Sequence, residues 1–411
     1  MIFFKKILLI YFRLPFISLN NIQSFNDLNF KNIDFTNYRQ IKSFIFKEKF
    51  HNLKNDFVSN FDFLNYSKNL GGKIGVSLSK KNIIHWFKLY KNKIGFPWIA
   101  DFSSKRLINI LYNYEFIVSS STLSEKKVID RIIVFHINRV LFEFNHKKID
   151  QVNSYDLKAV VLSMFLTKKF NSNFLMIIDN VLDYQIDKFG MHKSYNLLTH
   201  AKFINNLIEI KNIFLFFEYS IPDKLNSKVL IMSSIINQYL HLDGSLPLFN
   251  GANNSYTNQI YNNINKDEYL KLRSFSDNKN GIAFYRDSKK RLFFDVVQPE
   301  KNNLNNLLSS GTLSFEFSSD GEKIITNCGA SESMGKNPEF LRYSAAHSTI
   351  ILQNTNIREI KEKNSIVNIT HNVSFNKEDS EGYSVLQGSH NGYLKRFNKI
   401  IKRKLIIDAE K

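Results

Sequence analysis

Residues 311–329 read "GTLSFEFSSDGEKIITNCG". Leu313, Phe315 and Phe317 alternate with Ser314 and Glu316, the period of a β-strand with one apolar and one polar face. Asp320-Gly321 follows as a turn, and "KIITN" (323–327) resumes an apolar run of strand length. The same pattern extends in both directions. "GIAFYRD" (281–287) and "RLFFDVV" (291–297) precede it; "STIIL" (348–352) and "YSVLQGS" (383–389) follow. Many short strands separated by polar turns predict an antiparallel sandwich. The final stretch, "KRKLIIDAEK" (402–411), stops inside a strand pattern, so the sequence reads as a truncated chain or fragment.

Upstream of about residue 275 the apolar period is that of a helix. Thr122-Leu-Ser-Glu125 fits a capping box, and Ile129, Ile132, Ile133, Ile137, Val140 and Leu141 then share one face. A second helix runs through Phe174, Ile177, Ile178, Val181 and Leu182, with Gly190 as its stop. A third carries Leu225, Val229, Met232, Ile236 and Tyr239 and closes at "LDGSLP". Such helices with short connections predict a layer of antiparallel pairs. The expected organisation is a mixed segment over 1–70, a helical domain over 71–275 and a sandwich over 276–411. The first residues, "MIFFKKILLIYFRLPFISLNN", place two lysines before an apolar run, as a signal peptide does. Arg13 interrupts that run and no small-x-small cleavage site follows, so an ordinary buried helix stays open as the other reading. No stretch approaches the length of a transmembrane span.

With 411 residues, 43% of them hydrophobic and 14% aromatic, the chain can bury a large core and is not a disordered polymer. The net charge of +19 suits a polyanionic partner: nucleic acid, an anionic lipid surface or an acidic polysaccharide. The same charge also follows from the Lys- and Asn-rich usage of an AT-rich coding sequence on a solvated surface. Basic blocks are short, and no RNP, zinc-finger or P-loop pattern occurs, which argues against nucleic acid. The one cysteine, Cys328, rules out an internal disulfide and a cysteine-based metal site.

Four segments in order, "DGSLPLFNG" (243–251), residues 311–329 above, "RYSAAHSTIIL" (342–352) and "GSHNGYLKRF" (388–397), resemble the heparinase II/III-like family. "FLNYSKNLGG" (63–72) and "FGMHKSYN" (189–196) resemble its helical part, although Phe189 stands where the family usually has an aspartate. The resemblance implies an α+β, two-domain fold: an incomplete α/α toroid followed by an antiparallel β-sandwich, with an acidic polysaccharide held in the cleft between them. It also implies β-elimination, which removes the C5 proton of a uronate and expels the oxygen at C4. That chemistry needs a group to neutralise the carboxylate, a base and an acid. A cell-envelope or periplasmic location goes with such a substrate, the cytoplasm being the alternative.

The resemblance nominates His192, Tyr239 and His347 as catalytic, and Asn196, His241, His390, Tyr393 and Arg396 as substrate-binding. Each has a blander reading: a loop histidine, a tyrosine continuing the Val229-Met232-Ile236 stripe, a histidine bonded to backbone, a solvated strand end. Many family members carry His-x-His-x-Asp before the "SFE" strand and use it, with the histidine matching His347, to bind a metal. Here Leu307, Ser309 and Gly311 occupy those positions, and Asn327 stands near a family aspartate. Zinc needs three or four protein ligands, so neither the usual metal nor another cofactor is expected. A non-catalytic relative that binds a surface polysaccharide is the alternative to a lyase.

Overall fold

The structure, a computed structural model, describes residues 56–95, 98, 100–253, 281–300, 304, 308–330, 339–359 and 371–408. The N-terminal apolar run, the expected boundary at 275/276 and Leu307 lie outside the described residues. The chain forms two compact units, one of Met1–Ile178 with Asn206–Ile221, the other of Asp179–Asn205 with Pro222–Lys411.

The first unit is helical. It contains α1 (Phe63–Leu70), α2 (Gly72–Tyr90), α3 (Ala100–Tyr112), α4 (Leu123–His146) and α5 (Ser154–Leu166). Two further helices, α6 (Ser172–Gln185) and α7 (Leu197–Phe216), give residues to both units. The capping box at the head of α4 is formed: Thr122 Oγ1 accepts from Glu125 N at 3.2 Å while Thr122 N donates to Glu125 at 2.8 Å. Two of the otherwise orphaned first-turn donors are thereby satisfied. Asn153 and Asp156 repeat the device at α5. Helix α3 packs on both α4 and α5.

A cation lies in the core of this unit. Arg106 on α3 is fully buried, with its guanidinium carbon 4.1 Å from the Trp86 ring and 4.8 Å from that of Trp98. Its Nε donates to His136 Nε2 at 3.0 Å, and His136 Nδ1 in turn meets the Ile132 carbonyl at 2.8 Å. The pair fixes the imidazole tautomer with its proton on Nδ1. Burial pushes the His136 pKa well down, and the Arg106 charge adds to that. Aromatic faces and neutral acceptors surround the charge here.

The second unit holds α8 (Asp223–Ile236) and two antiparallel sheets. One runs β1 (Ile282–Arg286), β2 (Lys290–Asp295), β3 (Phe315–Ser319), β4 (Glu322–Ile325); the other runs β5 (Val373–Ser380), β6 (Tyr383–His390), β7 (Ile401–Asp408). Leu292, Phe294, Leu386, Ile401 and Ile407 form one apolar cluster between them, so the sheets are the halves of a sandwich. Leu313, at a positive φ of 61°, fills the space left by Gly388, where an added Cβ would lie 2.5 Å from its Cδ2.

Two strand expectations change. "STIIL" is not a strand; only Leu352 makes an isolated bridge, to Thr355. Side chains hold this segment instead, with Ser348 Oγ accepting from Phe315 N at 2.8 Å and Thr349 Oγ1 donating to the Thr312 carbonyl at 2.6 Å. In β3 it is the polar residues, Glu316 and Ser318, that are buried, while Phe315 and Phe317 are half-buried on the sandwich side. The opposite face of this sheet is covered too, by the segment that follows α8.

Candidate functional site

The segment after α8 lays Tyr239, His241 and Leu248 over the face of β1, β2 and β3 that points away from the second sheet. Tyr239 stacks edge-on against Phe284 at 5.5 Å, and the His241 ring meets Phe293 at 4.9 Å. Phe293 pairs in register with Glu316. Glu316 is therefore carried by β3 to a fully buried position.

Its carboxylate is fully satisfied. Oε2 accepts from His241 Nε2 at 3.1 Å, and Oε1 accepts from Leu248 N at 2.8 Å and from both Asn327 N and Asn327 Nδ2 at 3.1 Å. His241 Nδ1 meets Ser318 Oγ at 2.8 Å, so both imidazole nitrogens are engaged. Asn327 continues the network, its Oδ1 accepting from Ser348 N at 2.9 Å. A buried carboxylate is tolerated only with partners of this number and quality.

His347 sits beside this network and differs from it. Only 8% of the residue is exposed, yet neither ring nitrogen has a hydrogen-bond partner; the Leu341 carbonyl faces it short of bonding geometry. Gly311 makes room for the ring, since an added Cβ would lie 2.9 Å from His347 Cγ. Burial pushes the His347 pKa down to about 4, against the pull of the Glu316 carboxylate. At neutral pH it is an uncharged imidazole with an available lone pair.

His192 occupies a second polar group. Gly190, at a φ of +92°, lets its loop press onto α8: an added Cβ would meet Ile231 and Ile235 at 2.9 Å. His192 Nδ1 accepts from Ser194 N at 3.2 Å and lies 2.8 Å from Ser194 Oγ, which leaves the proton on Nε2. The backbone N of His192 donates to His200 Nδ1 at 3.1 Å, and His200 Nε2 donates to the Met232 carbonyl at 3.0 Å. Burial holds the pKa of His192 down at about 3 and that of His200 at about 4. No hydrogen bond joins His192 to His347 or His241 among the described residues.

Other nominated residues are drawn into the framework. Tyr239 is fully buried and its hydroxyl donates to the Ile282 carbonyl at 2.8 Å. Asn196 caps α7, its Oδ1 accepting from Thr199 N at 2.9 Å, and its Nδ2 donates to the Asn250 carbonyl at 2.9 Å. His241 is consumed by Glu316 and Ser318. Tyr393 is fully buried, donating to the Thr355 carbonyl at 2.8 Å. Its neighbour His390 is buried, with Nδ1 accepting from Gly392 N at 3.1 Å. Asn196, His241, Tyr393 and His390 each tie backbone or core together. Arg396 alone of that set is exposed, and its Nη2 already donates to the carbonyls of Asn356 at 2.6 Å and Ile357 at 3.0 Å.

The donor set does not fit the metal that the family resemblance implies. Asn327 spends its amide on Glu316 and Ser348, Gly311 offers no ligand, and no group of three or more metal-ligating side chains occurs among the described residues. Glu316, the centre of the network, was not singled out from sequence. A strict alternation marks it as facing away from the apolar residues, which in a sheet covered on one side only would mean solvent.

Two stacked antiparallel sheets after a layer of paired helices define the class: an α+β protein with an incomplete toroid and a β-sandwich. Residues 272–411 match the family described as Heparinase II/III-like, C-terminal. In solved structures the same fold is found in a heparinase III, with a TM-score of 0.66 at 12% identity over 100% of this chain and 74% of that one. Heparan sulfate lyase HepC from Pedobacter heparinus is similar at a TM-score of 0.56 and 14% identity, over 99% of this chain and 72% of that one. At these identities the likeness is one of fold. No curated protein matches the sequence.

Proposed function

We propose that the protein acts on an acidic, uronate-containing polysaccharide by β-elimination, with His347 as the group that handles the C5 proton. One observation carries this reading: a buried imidazole with both nitrogens unpartnered, seated on Gly311 beside a structured carboxylate network. A buried polar group left without partners in an otherwise satisfied network is where a ligand group is to be expected. His192, protonated on Nε2, suits the other task, a hydrogen bond to the uronate carboxylate. The heparinase-like C-terminal domain supports this substrate class. We place the reaction at the cell envelope, without a metal.

A second reading rests on Tyr239. Its hydroxyl is committed to the Ile282 carbonyl, so the tyrosine nominated for catalysis has no proton to exchange. The chain would then bind an acidic polysaccharide without cleaving it. Absorbance of the C4–C5 double bond decides between the two, measured on heparan sulfate, chondroitin, alginate and bacterial exopolysaccharides. A rise with the native protein that His347→Ala abolishes is expected. Binding with no rise on any of them would leave the non-catalytic reading.

A further inference from the structure

The turn after Leu248 is a junction inside the second unit. Leu248 N bonds Glu316, and two residues on, Asn250 reaches two other segments. Asn250 is buried. Its Nδ2 donates to the Tyr195 carbonyl at 3.3 Å, and its own carbonyl accepts from Asn196 Nδ2 at 2.9 Å. Its Oδ1 accepts from Ser309 N at 3.1 Å. One residue thus joins the loop of His192 to the stretch that ends at Gly311, the seat of His347.

Both arms continue to a histidine. Tyr195 N donates to the His192 carbonyl at 2.9 Å, and Asn196 N donates at 3.3 Å to Ser194 Oγ, which in turn meets His192 Nδ1. Tyr195 has a φ of +50°, a conformation that a bulky residue keeps only when its surroundings fix it. The amide of Asn250 is one of the groups that fix it. On the other arm, the carbonyl of Ser310 accepts from Ser344 Oγ at 2.8 Å, and the carbonyl of Ser344 accepts from His347 N at 3.1 Å. Gly311 then lies against the His347 ring. Asn250 itself has a φ of 53° and a ψ of 38°, a left-handed conformation that asparagine and glycine adopt most readily.

We infer that Asn250 is a positioning residue, which fixes the His192 loop and the seat of His347 relative to one another so that both imidazoles serve one substrate. The inference rests on the reaction proposed above. Asn250 acts through Tyr195, Asn196 and Ser309 and bonds neither ring. A displacement of about 1 Å in such an arrangement costs on the order of 100-fold in rate.

The test uses the whole chain. Asn250→Gly keeps the left-handed backbone and removes both side-chain bonds. With histidine labelled by carbon-13, the two ring signals are assigned from His192→Gln and His347→Gln. In folded Asn250→Gly both signals should shift, and kcat should fall about 100-fold, well beyond any change in KM. Asn153→Ala strips the cap of α5 in the first unit and is the destabilised control. Its melting point should fall while both signals and kcat stay in place. If either ring signal is unmoved in Asn250→Gly, or if only the melting point changes, the inference is overturned. An unchanged kcat in an active protein overturns it too. If the native protein cleaves no polysaccharide, the proposed reaction fails and the two ring signals alone decide this inference. Should Asn250→Gly not fold, Asn250→Asp is read in its place. It keeps an acceptor for Ser309 N and loses the donor to Tyr195, so the His192 signal should shift; an unmoved signal overturns the inference.

Discussion

Glu316 Oε2 lies 3.1 Å from His241 Nε2, and neither side chain has any exposed surface. Removing the carboxylate strands the buried donors His241 Nε2, Leu248 N, Asn327 N and Asn327 Nδ2, at a cost of about 1–3 kcal/mol for a group so left. Glu316→Ala is therefore expected to destabilise the sandwich by that order, and Glu316→Gln by less, because the amide oxygen still accepts from Leu248 N. Urea unfolding followed by far-ultraviolet circular dichroism measures both; equal stabilities would disprove the network's importance.

Asn327→Asp restores a carboxylate that family members carry nearby, yet it should weaken this chain. Asn327 Nδ2 donates to Glu316 Oε1 at 3.1 Å, and an aspartate would set two carboxylates at that distance. A loss of about 1–3 kcal/mol is expected at neutral pH. The repulsion raises the folded-state pKa of the pair, so the penalty is full above that pKa and is relieved as pH falls through it. A variant whose deficit grows on acidification would contradict this.

Gly311→Ala should displace the His347 ring, since the new Cβ would stand 2.9 Å from Cγ. Overpacking of this kind costs about 1–3 kcal/mol. The His347 imidazole resonance in an NMR spectrum should shift, and any turnover should fall together with it.

Tyr239→Phe removes one hydrogen bond, to the Ile282 carbonyl, and should cost about 1 kcal/mol. Turnover by the folded variant should equal that of the native protein. A loss of the kcat value with unchanged stability would return Tyr239 to the catalytic set.

Acid should unfold the second unit. His192 is held at about 3, and His200, His347 and His390 at about 4, all below the ordinary 6.5 and chiefly by burial. With the folded pKa below the unfolded one, stability is full above the unfolded value and is lost as pH falls from there toward 4. Each buried histidine contributes a slope of about 1.4 kcal/mol per pH unit in that window. Urea midpoints between neutrality and mild acid should fall accordingly, and replacing His200 by a neutral residue that keeps the fold should flatten the profile.

The strands within 281–297 and 383–389 and the cap at Thr122 were legible because they rest on local rules: period two, a turn dipeptide, a side chain bonding three residues on. The helix expected to stop at Gly190 ends at Gln185, because that glycine serves a loop pressed on Ile231 and Ile235 and not a helix terminus. The site was less legible. Alternation shows that Glu316 and Phe315 face opposite ways, but not that both faces are covered, which is decided by a segment some seventy residues earlier, around His241 and Leu248. Tyr239 and Asn196 matched a family pattern by position, while the bonds that occupy them, to Ile282, Thr199 and Asn250, are set by tertiary packing.

The aromatic box around Arg106 has a spectroscopic consequence. The sequence contains 2 tryptophans, Trp86 and Trp98, and both stand against that guanidinium and the His136 ring. Selective excitation of indole therefore reports on the helical unit alone. A sandwich that loosened around Glu316 would leave that emission unchanged, and a single fluorescence melt would describe half of the molecule.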